Sequence, residues 1–267
     1  MSALAEARPA PPQPRPAARY LPRGDWYVPL VAIAVGALAW EVAARATDVP
    51  WLPPFSQVFG ALWSLTSQGL ILSNLVASLR SLGIGFGISL ALGLPLGALM
   101  GRYRKWEWAL DMHVSWLLIS PSIVFAPIFF TIFGLSDGTR IGVVVLYAWP
   151  IITYNTFVAF RRVNPELIEM AKSFGAGERQ ILFRVILPGS LPLTMAGLRL
   201  GMGRAVKGMI NGELFVALVG LGAMTQKYSN AFDVKNVLAL VLLVMIVAVF
   251  AVELVQWFDR RLTYWAN

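Results

Sequence analysis

The chain contains no cysteine and a single histidine, His113. Disulfides and thiol chemistry are therefore excluded. A zinc site would have to complete its ligand set from carboxylates, a poor donor set for that ion. Charge is also scarce. Lys, Arg, Asp and Glu make up 13% of the 267 residues, about half the share of an ordinary soluble domain. So little charge cannot cover a soluble surface of this size, which excludes a soluble globular enzyme, a disordered chain and a secreted disulfide scaffold. The sequence also has no H-E-x-x-H, no G-x-S-x-G and no G-x-x-x-x-G-K-[ST]. Without that last phosphate loop the chain cannot bind and hydrolyse ATP by that route. ATP-driven transport would need an ATPase on another chain.

What the sequence does have is apolar length. Hydrophobic residues are 57% of the chain, mean hydropathy is +0.66, and the apolar residues fall in long runs. This pattern predicts an all-α polytopic membrane protein. Six spans are expected, at 26–46, 79–101, 106–133, 141–160, 191–219 and 237–258. The Pro/Ala/Arg-rich residues 1–25 read as a disordered tail ahead of a transmembrane domain, 26–267. The run that follows this tail is too long for a cleaved signal peptide.

The net charge of +8 suits membrane anchoring on the cytoplasmic side rather than nucleic acid. Cations collect in the tail, at Arg102, Arg104 and Lys105, at Arg161, Arg162, Lys172, Arg179 and Arg184, and at Arg260 and Arg261. The alternate connections are poor in them. The positive-inside rule then puts both termini in the cytoplasm, which requires an even number of spans. In the connection after the first span, Ser56 is expected to cap a short helix lying on the outer face. Arg80 reads as an interfacial anchor at the outer start of the second span. Glu41 and Glu253 read as pairing or snorkelling groups near helix ends, and His113 as a structural interfacial residue.

Gly93, Gly97 and Gly101 share one helical stripe, as do Gly197, Gly201, Gly208 and Gly212. Small residues at such spacing let helices approach closely in lipid. Beside the second stripe, Arg204, Lys207 and Asn211 fall together on a polar face, with Glu213 deeper in the span. Polar groups inside spans are costly. These four line either a translocation path or a helix emerging from the bilayer into interhelical salt bridges. The sixth span, Val237 to Phe250, holds only aliphatic, Met and Phe residues in that stretch and reads as lipid-facing.

The connection from 161 to 188 carries the most information. Asn164 is placed to cap a helix that opens with Pro165. Glu166 and Glu169 lie in its early turns, where the dipole favours acids. Gly175 and Gly177 break the helix, and Ile181, Leu182, Val185 and Ile186 form a second apolar stripe ahead of Pro188.

Glu169-Met170-Ala171, three residues, Gly175, nine residues and Val185-Ile186-Leu187-Pro188 resemble the "EAA" loop of bacterial ABC importer permeases (E-A-A, x3, G, x9, I-x-L-P). Met170 and Val185 depart from the pattern. Asn155-Thr156, Val163 to Leu167, Ser173 to Ala176, Leu187-Pro188, Leu191-Pro192, Gly197-Leu198-Arg199, Gly212-Glu213-Leu214, Gly220-Leu221-Gly222 and Leu52 to Ser56 are similar to the members that import sulfonates, taurine, nitrate or thiamine precursors. The resemblance spans about residues 50–265 and implies a mechanism. Two permease copies would pack together above two ATP-binding subunits, in the bacterial inner membrane, with a solute-binding protein outside. ATP and Mg would sit on the ATPases and no cofactor on this chain. Glu169, Ala171 and Gly175 would belong to the coupling element, flanked by Glu166, Lys172, Ser173, Phe174 and Ala176. The implied solute is a small anion. A heterocyclic or aromatic solute is the alternative, and an ion-coupled carrier a more distant one.

Overall fold

A computed structural model describes residues 27–47, 49–216 and 218–264. The expected tail, 1–25, lies outside them. The elements are α1 (Tyr27–Thr47), α2 (Phe55–Ser67), α3 (Leu70–Arg102), α4 (Arg104–Ile119), α5 (Ala126–Phe133), α6 (Asp137–Arg161), α7 (Pro165–Ser173), α8 (Glu178–Ile181), α9 (Leu187–Val216), α10 (Leu221–Asn230) and α11 (Val234–Leu262). Among the described residues five helices are long and apolar enough to cross a membrane, and a bent pair makes a sixth.

The bent pair corrects one expectation. Residues 106–133 are not a continuous span: α4 and the segment Ser122–Phe133 meet at 100°. Pro121 has no N–H to continue the ladder, and it drives Ser120 into an extended conformation (ψ 139°). The pair still joins the two ends of α6. Glu107 in α4 meets Arg161 at the end of α6, at 2.7 Å. Beyond α5, Thr139 in the first turn of α6 donates to the Gly134 carbonyl at 2.6 Å.

The centre of the fold is a slab of three helices. Gly85, Gly93 and Gly101 of α3 face Val144, Ile152 and Phe160 of α6. The constant difference of 59 in residue number makes the two helices parallel and in register. Gly197, Gly201, Gly208 and Gly212 of α9 face Asn155, Ile152, Tyr147 and Arg140, so α9 is antiparallel to α6. Both expected glycine stripes thus serve as packing faces against the same helix. A Cβ at Gly97 would lie 2.5 Å from the Thr153 carbonyl oxygen. Lipid offers no hydrophobic drive between helices, so this close van der Waals contact holds the slab.

The flanking helices pack on the slab. α11 sets Ala239, Leu240, Val247, Ala251 and Val255 against α2, α9 and α10, so only its other side, with Met245 and Phe250, faces outward. That narrows the lipid-facing reading of the sixth span. α2 forms where a short helix was expected, but Ser56 is not its cap. Pro54 holds the cap position without a side-chain bond. The Ser56 N–H and hydroxyl both donate to Glu41, at 3.0 and 2.9 Å, and the same carboxylate pairs with Arg45 of its own helix. Arg80 is not at a helix start either, since α3 begins at Leu70.

Pro188 does not end the helix before the fifth span. Helical structure runs from Glu178 to Val216, 39 residues, through a π-turn at Leu182–Ile186. The wider turn sits where the prolyl ring would crowd a regular one.

Candidate coupling loop and membrane path

One end of the slab carries Arg102, Arg104, Lys105, Arg161, Arg162 and the loop 161–188. We refer to it as the basic end. There α7 starts as the sequence predicts: the Asn164 side chain accepts from the Glu166 N–H at 3.0 Å, satisfying one of the unpaired amides of the first turn. Its stop follows from three residues, Ala171, Gly175 and Ala176. Gly175 takes φ +76°, its N–H donates to the Lys172 carbonyl at 2.9 Å, and the Ala176 N–H donates to the Ala171 carbonyl at 3.0 Å. These two bonds make a Schellman stop, which needs a left-handed residue and an apolar contact across it. Gly175 supplies the first. Ala171 and Ala176 supply the second, both packing on a cluster of Phe160, Val163, Ile181 and Ile186. The A-x3-G spacing of the motif is therefore the spacing of a helix stop.

The remaining motif residues face outward. Glu166, Glu169, Lys172, Ser173 and Phe174 are all exposed. Phe174 is 85% exposed, with Met170 (54%) and Leu167 (45%) on the same short helix. The next arm is fixed to the slab. The Gly177 N–H donates to the Gln180 side chain at 3.0 Å, and Glu178 pairs with Arg102 at the end of α3. The result is a firm apolar and acidic knob.

The structure divides the four candidate path residues. Arg204 and Lys207 are exposed along one face of α9. Asn211 is half-buried on that face and donates to the Tyr147 hydroxyl at 2.7 Å. Arg199, a turn earlier, pairs with Asp259 of α11 at 2.7 Å. Glu213 stands apart. It is fully buried and its carboxylate accepts from the Gly222 N–H at 2.9 Å. Gly220 and Gly222 leave the room it fills. A Cβ on Gly220 would overlap the carboxylate, and one on Gly222 would lie 2.7 Å from the Glu213 Cβ.

Three further residues complete that site. Asn74 Oδ1 accepts from the Gly220 N–H and Ser78 Oγ from the Leu221 N–H, both at 2.9 Å. Arg140 donates to the Val219 carbonyl at 3.3 Å and pairs with Asp137. Sequence reasoning passed over Asn74, Ser78 and Arg140. The local signal was there for two of them: Asn74 and Ser78 are four apart, on one face of a largely apolar helix.

Comparison with known proteins follows the same outline. Residues 93–264 match the family described as binding-protein-dependent transport system inner membrane component. A probable ABC transporter permease protein of Brucella melitensis biotype 1 is 30% identical over 236 residues, covering 88% of this chain and 96% of that one. The formylaminopyrimidine transport permease protein of Halalkalibacterium halodurans is 30% identical, covering 85% and 90%. The taurine transport system permease protein of Escherichia coli K12 is 30% identical, covering 91% and 94%. A crystal structure of an amino acid ABC transporter shares the fold, with a TM-score of 0.62 and 15% identity over 75% of this chain and 97% of that chain.

Proposed function

The chain belongs to the binding-protein-dependent inner membrane component family, the multi-pass permease subunits of bacterial ABC importers, which work with ATPases on separate chains; on that premise we propose how this permease is coupled and what it carries. The basic end faces the cytoplasm, with both termini on that side, as the positive-inside rule asks. There α7 is the coupling helix. It inserts Phe174, Met170 and Leu167 into a groove of an ATP-binding subunit, with Glu166 and Glu169 meeting basic groups around it. Glu169, Ala171, Lys172, Ser173, Gly175 and Ala176 shape and flank this knob. The observation that carries the reading is the exposure of Phe174, 85% at the tip of a well-capped helix. A large aromatic held out in water on a firm support marks a surface meant to be covered.

Two copies form the path. Arg204 and Lys207 lie exposed on α9, whose other faces are packed on α6, α10 and α11. Cations in a spanning helix favour a water-filled path over lipid. A second copy placed against this face would enclose one. The complex then holds two permeases and two ATPases, with ATP and Mg on the latter. A solute-binding protein delivers from outside. The cationic face favours a small anion such as a sulfonate, taurine or nitrate, and the taurine permease relative points the same way. A heterocyclic solute is the second reading, favoured by the equally similar formylaminopyrimidine permease.

Native mass of the complex, extracted gently from its host, tests the assembly. Two 29.3 kDa chains running with two ATPase chains is the expected result. A chain running alone sinks it. Glu169→Lys should abolish ATP-driven uptake at unchanged membrane insertion, and normal uptake in that variant would refute the coupling role.

A further inference from the structure

The clamp around residues 219–222 has a role that the path reading does not give it. Four successive residues each have a backbone group held by a slab side chain, from three helices in all: Val219 by Arg140 of α6, Gly220 and Leu221 by Asn74 and Ser78 of α3, Gly222 by Glu213 of α9. Gly220 takes φ +111° and has no room for a side chain. This turn joins α9 to α10, whose Leu221 and Met224 also pack in an apolar cluster with α2 and α11; such packing is non-directional, and the bonds to the turn add the directional tie to the slab. Buried side-chain acceptors on three consecutive amides are expensive to leave unfilled, so they specify one arrangement.

The other end of the same slab bears the coupling loop. α8 and α9 run without interruption from Glu178 to Val216, about 58 Å at 1.5 Å per residue. The inner end is tied to α3 by Arg102 and Glu178. The glycine seams remove the slack between α3, α6 and α9. A push on α7 therefore moves the slab, and whatever is fastened to its outer end moves with it.

We propose that Glu213, with Asn74, Ser78 and Arg140, forms a positioning clamp that makes α10 travel as one body with the slab, so that ATPase closure at the coupling loop displaces α10 at the outer mouth of the path. Glu213 is then a positioning residue and not a lining residue. The proposal rests on the coupling reading above.

The chain has no cysteine, so Ser229→Cys on the exposed side of α10 gives this chain a sole thiol. In the assembled importer in nanodiscs, trapping with ATP and vanadate should change the labelling rate of that thiol about fivefold or more, a typical coupling factor. Glu213→Ala and Gly220→Ala should remove that change and the uptake while ATP hydrolysis continues. Glu213→Gln, which keeps an acceptor for the Gly222 N–H, should retain most of both. Loss of uptake with the thiol response intact in Glu213→Ala overturns the clamp in favour of a path lining. Full uptake in Glu213→Ala overturns it outright. Should Glu213→Ala fail to assemble, Ser78→Ala decides, since it removes one bond: an unchanged thiol response there refutes the proposal. A parent complex that shows neither uptake nor any ATP-dependent response refutes the coupling reading itself, which the variants alone cannot do.

Discussion

The loop at the basic end and the turn at the opposite end are built on contrary plans. The loop 161–188 closes its hydrogen bonds locally, through Asn164, Gly175 and Gln180. It turns Leu167, Met170 and Phe174 outward. The turn 219–222 takes its hydrogen bonds from the three slab helices, up to 146 residues away in sequence, and closes over the buried carboxylate of Glu213 from α9. A segment that satisfies its own backbone can present a stable surface to another chain. A segment satisfied by its neighbours is fixed to them. In the proposed assembly one end meets the ATPase, while the other is bound into its own molecule.

The strongest test of this contrast removes what the two ends share. Gly97→Leu forces the α3 seam off the Thr153 carbonyl and should unseat both ends together. The expected loss is about 3 kcal/mol or more, at the upper range of overpacking, seen as failure to assemble in a thermal-stability assay. Survival of one end without the other would show that the slab does not join them.

Next in size, if Phe174 anchors the proposed ATPase contact, Phe174→Asp should cut ATP-driven uptake on the order of 100-fold, as loss of an aromatic hot spot does. Stability of the chain should stay within about 0.5 kcal/mol, as for an exposed position. Retained co-purification of the ATPase would show that the knob is not the contact. A smaller effect is expected at Asn164→Ala. Loss of the cap should cost about 1 kcal/mol of local helix stability and lower uptake severalfold, with α7 amides exchanging faster. No change in exchange would mean that α7 is held by its partner rather than by its own cap.

Much of the basic end was legible in the sequence because its determinants are local. Asn164, Pro165, Gly175 and the alanines around it act within a few residues of one another, and a motif records such distances. The glycine stripes were legible for the same reason, since one helix carries each. The break at Ser120 and Pro121 was equally local and was obscured by hydropathy: an apolar run hides a kink when its prolines are read only as apolar. The clamp was of another kind. Glu213 stood out as a deep acid, but its partners Asn74, Ser78 and Arg140 are assembled only by the packing of three helices. Nothing in the sequence spacing aligned Gly212-Glu213-Leu214 with Gly220-Leu221-Gly222 as a carboxylate and the glycine room it needs.

The seam between α3 and α6 also limits how this protein can change length. Gly85, Gly93 and Gly101 meet partners at a constant separation along two parallel helices. One inserted residue between Gly85 and Gly93 would turn every later notch by about 100° and shift it by about 1.5 Å. Ile152 or Phe160 would then face a side chain where it now faces a glycine. Substitutions at lipid-facing positions of these helices leave the register untouched, whereas a single insertion or deletion between the notches breaks it. The two helices can drift in composition, but their spacing is locked.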